Sequence, residues 1–416
     1  MSQADGSDEE LASDVLEQRL RLLQGISIFF IMPDVQLRRL ARKLRPRHVP
    51  AGTVVLNQGE VSNHVFIIES GRCEAHSQWA PGHSVTVALL SKGDFFGISA
   101  VTPGHVQDAS VTATERCDLL ELSREALDSV LVEGSSVREQ LARLVEQRRE
   151  TVRQLVERAQ KVSPEHHGMV VAVYSVKGGS GKTTIAVNLA VALGSKQRGE
   201  CVLLDLALPY NHAALIANLV PSGCVAVCDK VAEDMFDEAL LSACLYHPSG
   251  ALVLPSCLRI EESELITPHL VQRTLDMLER NFTYVVVDLG VALGEVTLNV
   301  LERASKVLVV VTPELPTLKD TEDLLEVFET VLKIPTGNVT LLLNHPRPHA
   351  MVSREDADRV IGRPMTLEIP YDGGRFDRAG VSGEVLVTAA PSSAPARTLQ
   401  RLAAQIVEDY RMHVRR

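Results

Sequence analysis

The chain of 416 residues carries a formal net charge of −11, and 45% of its residues are apolar. That length predicts two or three domains, with enough apolar material for more than one core. The composition excludes a wholly disordered chain. The sequence contains no run of about 18 uninterrupted apolar residues, so a transmembrane helix is not expected. Seven cysteines spread thinly over the chain argue against a disulfide framework and favour a reducing cytoplasm.

The N-terminal third changes character twice. Residues 1–14 contain five acidic residues and no basic one, which predicts a disordered acidic tail rather than a signal peptide. Short amphipathic helices are expected over 15–45. Glycine-punctuated runs with alternating apolar residues follow over 48–122, and they predict an antiparallel barrel or sandwich. We therefore expect a first domain over residues 15–132.

A helical connector is predicted over residues 133–166. Apolar residues recur on one stripe, including Val137, Leu141, Leu144 and Val152. Two interpretations of this stripe stay open: a dimerising coiled coil, or a helix docked on its own domain. The helical pattern ends in a linker, Ser163 to Gly168.

Residues 167–416 are predicted to form an α/β domain with a mostly parallel, doubly wound sheet of the P-loop type. Continuous apolar runs alternate with helical segments, which is typical of strands that are buried on both faces. The predicted strands are 169–175, 201–206, 251–255, 284–288, 306–312 and 339–343. A final helix is expected over 397–412.

A glycine-rich loop follows the first of these strands and opens a helix, the context that a phosphate-binding loop requires. Its glycines allow backbone N–H groups to converge on phosphate oxygens, and the helix N-terminus adds a favourable dipole. Lys182 is expected to contact phosphate and Thr183 to bind Mg²⁺. The predicted nucleotide-binding residues are Lys177, Gly178, Gly179, Ser180, Gly181, Lys182, Thr183 and Thr184.

With its extra lysine, Lys177, this loop resembles the deviant Walker A motif of the ParA/MinD family of P-loop ATPases. The resemblance implies ATP and Mg²⁺ as cofactors, and a homodimer in which Lys177 reaches the partner's nucleotide. Asp288, at the end of Tyr284-Val285-Val286-Val287-Asp288, resembles the Walker B carboxylate. The resemblance thus implies catalytic roles for Lys177 and Asp288. It also implies that Thr183, Asp205 and Asp288 are the three metal ligands. It places Asn344 and Pro370 beside the adenine.

Within that family, the segments 205–210, 254–255 and 311–317 resemble the CpaE/TadZ branch, whose members localise pilus machinery. One departure concerns the second strand, where the family has D-x-D. Asp205 matches the first carboxylate, but Ala207 stands at the second. Because alanine can neither position water nor accept a proton, we expect ATP binding with slow or absent hydrolysis.

Residues 25–132 resemble a cyclic nucleotide-binding domain of the CRP type, on runs such as Gly93-Asp94-Phe95-Phe96-Gly97. In that family a glutamate binds the ribose and an arginine binds the phosphate. Here Ile98 stands for the glutamate and Asp108 for the arginine. Since a carboxylate repels phosphate, we do not expect cAMP or cGMP to bind, and we interpret the domain as a degenerate roll for dimerisation or docking.

Partner predictions follow from the C-terminal region. The last helix has an apolar stripe but no Trp or Phe, which argues against a membrane anchor. Arginines near the end form a modest cluster, so nonspecific DNA stays a candidate beside the protein partners that we favour. The leading hypothesis is a cytoplasmic, ATP-dependent dimer that positions a larger assembly. Its alternatives are a catalytically inactive scaffold and a DNA-partitioning ATPase.

Overall fold

The computed structural model describes residues 13–26, 29, 32–80, 83–101, 104–131, 136–159, 167–221, 223–229, 233–348 and 352–414. The predicted tail, except its last two residues, and most of the predicted linker lie outside the described residues. Ser13 and Asp14 begin the first helix, so the prediction of disorder was wrong for these two. The chain forms two compact units, Met1–Val152 and Arg153–Arg416.

The first unit is built on two four-stranded antiparallel sheets, with strand orders β1-β8-β3-β6 and β2-β7-β4-β5. Buried apolar side chains are interrupted by half-buried polar ones along β8, where Leu122 is buried between the half-buried Glu121 and Ser123. This alternation is why the prediction of an antiparallel roll was correct. Its elements are α1 (Ser13–Gln24), α2 (Asp34–Lys43), β1 (Arg45–Val49), β2 (Val54–Leu56), β3 (His64–Ser70), β4 (Cys73–Ala80), β5 (His83–Leu90), β6 (Phe95–Phe96), β7 (Ser110–Ala113), β8 (Cys117–Ser123), α3 (Arg124–Asp128) and α4 (Ser136–Ala159).

The second unit is an eight-stranded sheet in the order β11-β12-β10-β13-β9-β14-β15-β16, parallel except for β11. Its first half comprises β9 (Met169–Tyr174), α5 (Lys182–Lys196), β10 (Cys201–Leu206), α6 (Ala213–Ile216), α7 (Val225–Cys228), α8 (Phe236–Ala243), β11 (Leu245–Tyr246) and β12 (Leu252–Pro255). Its second half comprises α9 (Pro268–Asn281), β13 (Tyr284–Leu289), α10 (Glu295–Arg303), β14 (Lys306–Val311), α11 (Leu315–Thr330), β15 (Val339–Asn344), α12 (Arg354–Ile361), β16 (Leu367–Ile369), α13 (Arg375–Ser382), α14 (Leu386–Ala389) and α15 (Ala394–Val414).

The core of the second unit lies on both faces of its central strands. Every residue of β9, β10 and β13 is buried, as expected for parallel strands that are covered by helices on both sides. Helix α5 packs on one face with a nearly continuous apolar surface, and α15 lies against it through Leu399, Leu402 and Ile406. This packing fixes the carboxyl ends of β9, β10 and β13 next to one another.

Candidate nucleotide-binding site

The loop between β9 and α5 has the backbone that its glycines predict. Gly179 and Gly181 have φ of +73° and +91°, in the left-handed region that favours glycine. A Cβ at Gly181 would come within 2.7 Å of the Asn344 side-chain nitrogen, so the loop also needs glycine there for space. Helix α5 begins at Lys182 with no side chain capping its first turn, which leaves its N–H groups available to an anion.

Several polar atoms around this loop are buried without a hydrogen-bond partner among the described residues. They are Ser180 Oγ and both carboxylate oxygens of Asp288. Lys182 is only 8% exposed, and burial lowers the pKa of its ammonium, while Asp288 raises it. Such polar atoms are costly to leave unpaired. The residues present therefore fit a bound phosphate chain and a divalent cation.

Two carboxylates stand side by side at the strand ends, because Asp205 on β10 pairs in register with Asp288 on β13. Burial raises the pKa of Asp288 to about 7, and the negative charge of Asp205 contributes in the same direction. The neighbouring Thr183 hydroxyl and Lys182 lower it. A pair of neighbouring buried carboxylates is the arrangement that a cation relieves.

Asp205 differs from Asp288 in its hydrogen bonds. Its Oδ1 accepts a bond from the Ala207 backbone N–H at 3.1 Å, and its Oδ2 accepts one from Ala213 N–H at 2.8 Å. Asp205 therefore fixes the loop 207–213. The side chain at position 207 is a methyl group, so this loop brings no carboxylate to the place where the family has its second aspartate.

The predicted adenine residues lie together at the far side of the loop. The side-chain amide of Asn344, at the end of β15, donates to the Ser180 carbonyl oxygen at 2.8 Å. Asn344 pairs in register with Ile369 of β16, so Pro370 follows directly beside it. Asn344 thus holds the phosphate loop through its amide nitrogen and keeps its carbonyl oxygen as an acceptor.

The sequence analysis assigned no role at this site to three residues that the structure places around it: Glu314, Arg347 and Asn211. Lys177 forms an ion pair with Glu314, and Arg347 lies 3.9 Å from the same carboxylate. Asn211 Oδ1 accepts hydrogen bonds from Ser256 N–H at 2.7 Å, the Ser256 hydroxyl at 2.9 Å and Cys257 N–H at 3.0 Å, which ties the loop after β10 to the end of β12. The one available signal was their position after a strand.

The first unit carries the second candidate site, in the loop around β6 and β7. Ile98 is 5% exposed and brings only apolar surface. Gln107, next to Asp108, is 7% exposed, and its side-chain nitrogen is buried without a hydrogen-bond partner in the described part of the chain. Asp108 pairs instead with Arg149 at 3.3 Å. Neither an acidic residue at position 98 nor a cation at positions 107 and 108 is present.

Comparisons with known proteins match the two units separately. The cyclic nucleotide-binding domain family matches residues 46–133, and an AAA domain family matches residues 168–340. A cyclic nucleotide-gated potassium channel of Rhizobium etli is 33% identical over 133 residues, which cover 32% of this chain and 35% of the channel. The chain thus spans about a third of that relative.

Relatives of the second unit are matched over most of their length. An ATP-binding protein of Methanocaldococcus jannaschii is 27% identical over 246 residues, covering 58% of this chain and 88% of the relative. The septum site-determining protein MinD of Synechocystis is 24% identical over 242 residues, covering 57% and 88%. A ParA family ATPase structure from Chlorobium tepidum matches with a TM-score of 0.51 and 25% identity, covering 57% of this chain and 98% of that one.

Among the described residues, no helix has the length and apolarity needed to cross a membrane. The matches and the geometry of the phosphate loop agree with the resemblance to both families. The chain joins an N-terminal cyclic nucleotide-binding domain to a C-terminal P-loop ATPase domain of the ParA/MinD type.

Proposed function

We propose that this protein is an ATP-dependent dimeric switch that recruits or positions a larger cellular assembly. The observation that carries the proposal is the complete phosphate loop, with buried and unpaired Ser180 Oγ and Asp288 oxygens beside Lys182. A site that had lost its ligand would gain stability by replacing such groups with apolar ones. Their presence supports retained binding of ATP and Mg²⁺.

Each residue has a definite part in this proposal. Lys182 and the N–H groups of Gly178 to Thr184 bind the phosphates. Thr183 and Asp288 hold Mg²⁺, and Asp205 supports the metal site from the neighbouring strand. Mg²⁺ neutralises phosphate charge when it is bound. Asn344 and Pro370 border the adenine.

The dimer is supported by the surface around the loop. Val291 and Leu293 follow β13 and are 44% and 42% exposed, and Leu315 follows β14 and is 63% exposed. These strands flank β9 on either side, so apolar side chains stand on both sides of the phosphate loop. A second copy that docks here would bury them. Lys177, beside Leu315 through its pairing with Glu314, would then face the partner's nucleotide.

Hydrolysis in this proposal is slow, because position 207 has no group that can orient water. ATP would therefore act mainly as the ligand that closes the dimer. Dissociation would then depend on nucleotide release or on a partner that supplies the missing group. Slow hydrolysis is also expected of the alternative function, an inactive scaffold, which Ala207 and Ile98 favour.

The assembly that this switch serves is proposed from the sequence segments 205–210, 254–255 and 311–317. They favour the CpaE/TadZ branch, and hence protein partners of pilus machinery in the cytoplasm. The exposed arginines of α15, Arg397, Arg401 and Arg411, keep nonspecific DNA as the competing surface. Binding to DNA that needs ATP and is lost with added salt would favour the partitioning alternative.

The direct test of the site is a titration with an ATP analogue and Mg²⁺. Removing a buried cation that contacts phosphate costs about 10- to 100-fold in affinity. We expect that loss for Lys182→Ala. The matched control is Lys196→Ala, at the exposed last turn of the same helix. Wild-type protein without affinity, or equal affinity of wild type and Lys182→Ala, would contradict nucleotide binding.

A further inference from the structure

We call residues 93–101 and 104–110 of the first unit the nucleotide loop. Helix α4 contacts this loop at two points. The first is Arg148, which donates from a terminal guanidinium nitrogen to the Phe95 carbonyl oxygen at 3.0 Å. Its guanidinium carbon lies 4.8 Å from the centre of the Phe95 ring. A cation held over an aromatic face gains more as it loses water. Burial lowers the pKa of Arg148 to about 10, so it stays charged at neutral pH.

The second point is Arg149, whose Nε lies 3.3 Å from an Asp108 carboxylate oxygen. Burial raises the pKa of Asp108, and the Arg149 guanidinium lowers it. Consecutive residues of a helix project about 100° apart. The two arginines therefore reach different parts of the loop, one near its start at Phe95 and the other near its end at Asp108.

This arrangement reverses the charges that a ligand-binding roll needs. Capturing a cyclic phosphate requires a cation on the loop, yet the loop presents the anion Asp108, and the cations come from α4. Ile98 adds no polar group. The ion pair between Asp108 and Arg149 thus holds α4 against the loop, where an anionic ligand would otherwise attract the arginine of α4.

We propose that Arg148, Arg149, Phe95 and Asp108 form a built-in clasp that docks α4 on the nucleotide loop without any ligand. Helix α4 runs on to Ala159, past the boundary between the two compact units at Val152. The clasp lies three to four residues before that boundary. It therefore fixes the start of the segment that leads into the ATPase domain, independently of cyclic nucleotides and of ATP binding there.

Hydrogen exchange of the full chain, read by mass spectrometry over the amides of α4, tests the clasp. Wild-type protein should show the same protection without ligand and with millimolar cAMP. Asp108→Asn removes the charge at nearly constant shape and should speed exchange about two- to fivefold, as expected for a partly exposed ion pair. Arg148→Leu should speed it about tenfold or more.

Two further variants keep the test decisive. Arg143→Gln changes an exposed arginine of the same helix whose Nε contacts the Glu139 carbonyl, and it should leave exchange unchanged. The exchanged pair, Asp108→Lys with Arg149→Glu, should restore protection that Asp108→Asn lost. Added protection on cAMP binding, or wild-type exchange in both Asp108→Asn and Arg148→Leu, would overturn the proposal.

Discussion

At the scale of single residues, the site depends on what two neighbouring carboxylates are bonded to. Asp205 has both oxygens occupied by backbone N–H groups, whereas those of Asp288 are buried and unpaired among the described residues. The sequence predicted both residues through the resemblance of their strands to motifs of the ParA/MinD family. It could not predict this division between them, which arises from how the loop 207–213 folds back on Asp205.

Ala207→Asp tests whether a missing carboxylate limits hydrolysis. The Ala207 N–H is bonded to Asp205, so a new side chain at position 207 starts from a fixed backbone. A group that orients or activates water contributes about 10²–10⁴-fold to a rate. We expect phosphate release to rise by about 100-fold in this variant.

The control for this experiment is Ala207→Asn, which adds a side chain of similar size without a negative charge. It should stay near the wild-type rate. Wild-type protein that already releases phosphate as fast as Ala207→Asp would show that hydrolysis does not need a carboxylate at this position.

At the scale of elements, the long buried strands were predictable and the short ones were not. The runs at 169–175, 201–206 and 284–288 are confirmed to within one residue as β9, β10 and β13. Strands β11 and β16 have only two and three residues. Too few residues are present for a period to show, so these strands were missed.

The pairing of Lys177 with Glu314 could not be predicted from the sequence either. The two residues lie 137 positions apart, and only the adjacency of β9 and β14 brings them together. Glu314 belongs to the segment 311–317, which the sequence analysis used for the family resemblance. Its pairing with Lys177 could be recognised only from the order of the strands. Local motifs identified the phosphate loop, whereas the contacts between loops required the fold.

The turn between β11 and β12 provides a pH prediction. His247 is 8% exposed, its Nδ1 accepts from Ser249 N–H at 3.1 Å, and burial lowers the pKa of the imidazole to about 4. An unfolded histidine has a pKa of about 6.5. Between these values the unfolded chain binds more protons, so stability should fall as the pH drops from about 6.5 to 4.

The shift corresponds to about 3 kcal/mol when it is fully expressed. Urea unfolding at several pH values should show this loss in wild type, and a smaller loss in His247→Gln, which cannot take up the proton. Parallel pH dependence of the unfolding free energy in the two proteins would contradict a buried neutral His247.

At the scale of the whole molecule, the sequence predicted two folds, and the structure and the comparisons confirm both. What the first unit does was harder to predict. Its glycines and strands define the roll, but our expectation that no cyclic nucleotide binds rests on Ile98, Gln107 and the pairing of Asp108 with α4. The partner of Asp108, Arg149, lies on a helix about 40 residues later in the chain.

The central claim is that ATP closes a dimer through the second unit. Sedimentation velocity of the full chain, with Mg²⁺ and a non-hydrolysable ATP analogue, tests it most directly. Because Lys177 would reach the partner's nucleotide and the apolar side chains around the phosphate loop would then be buried, we expect the mass to double from that of the 45.4 kDa chain. Lys177→Ala should bind the analogue without doubling in mass. Lys182→Ala, which binds the analogue more weakly, should not double at an analogue concentration that just saturates the wild type. An unchanged wild-type mass at saturating analogue, or the same doubling in Lys182→Ala, would contradict the account.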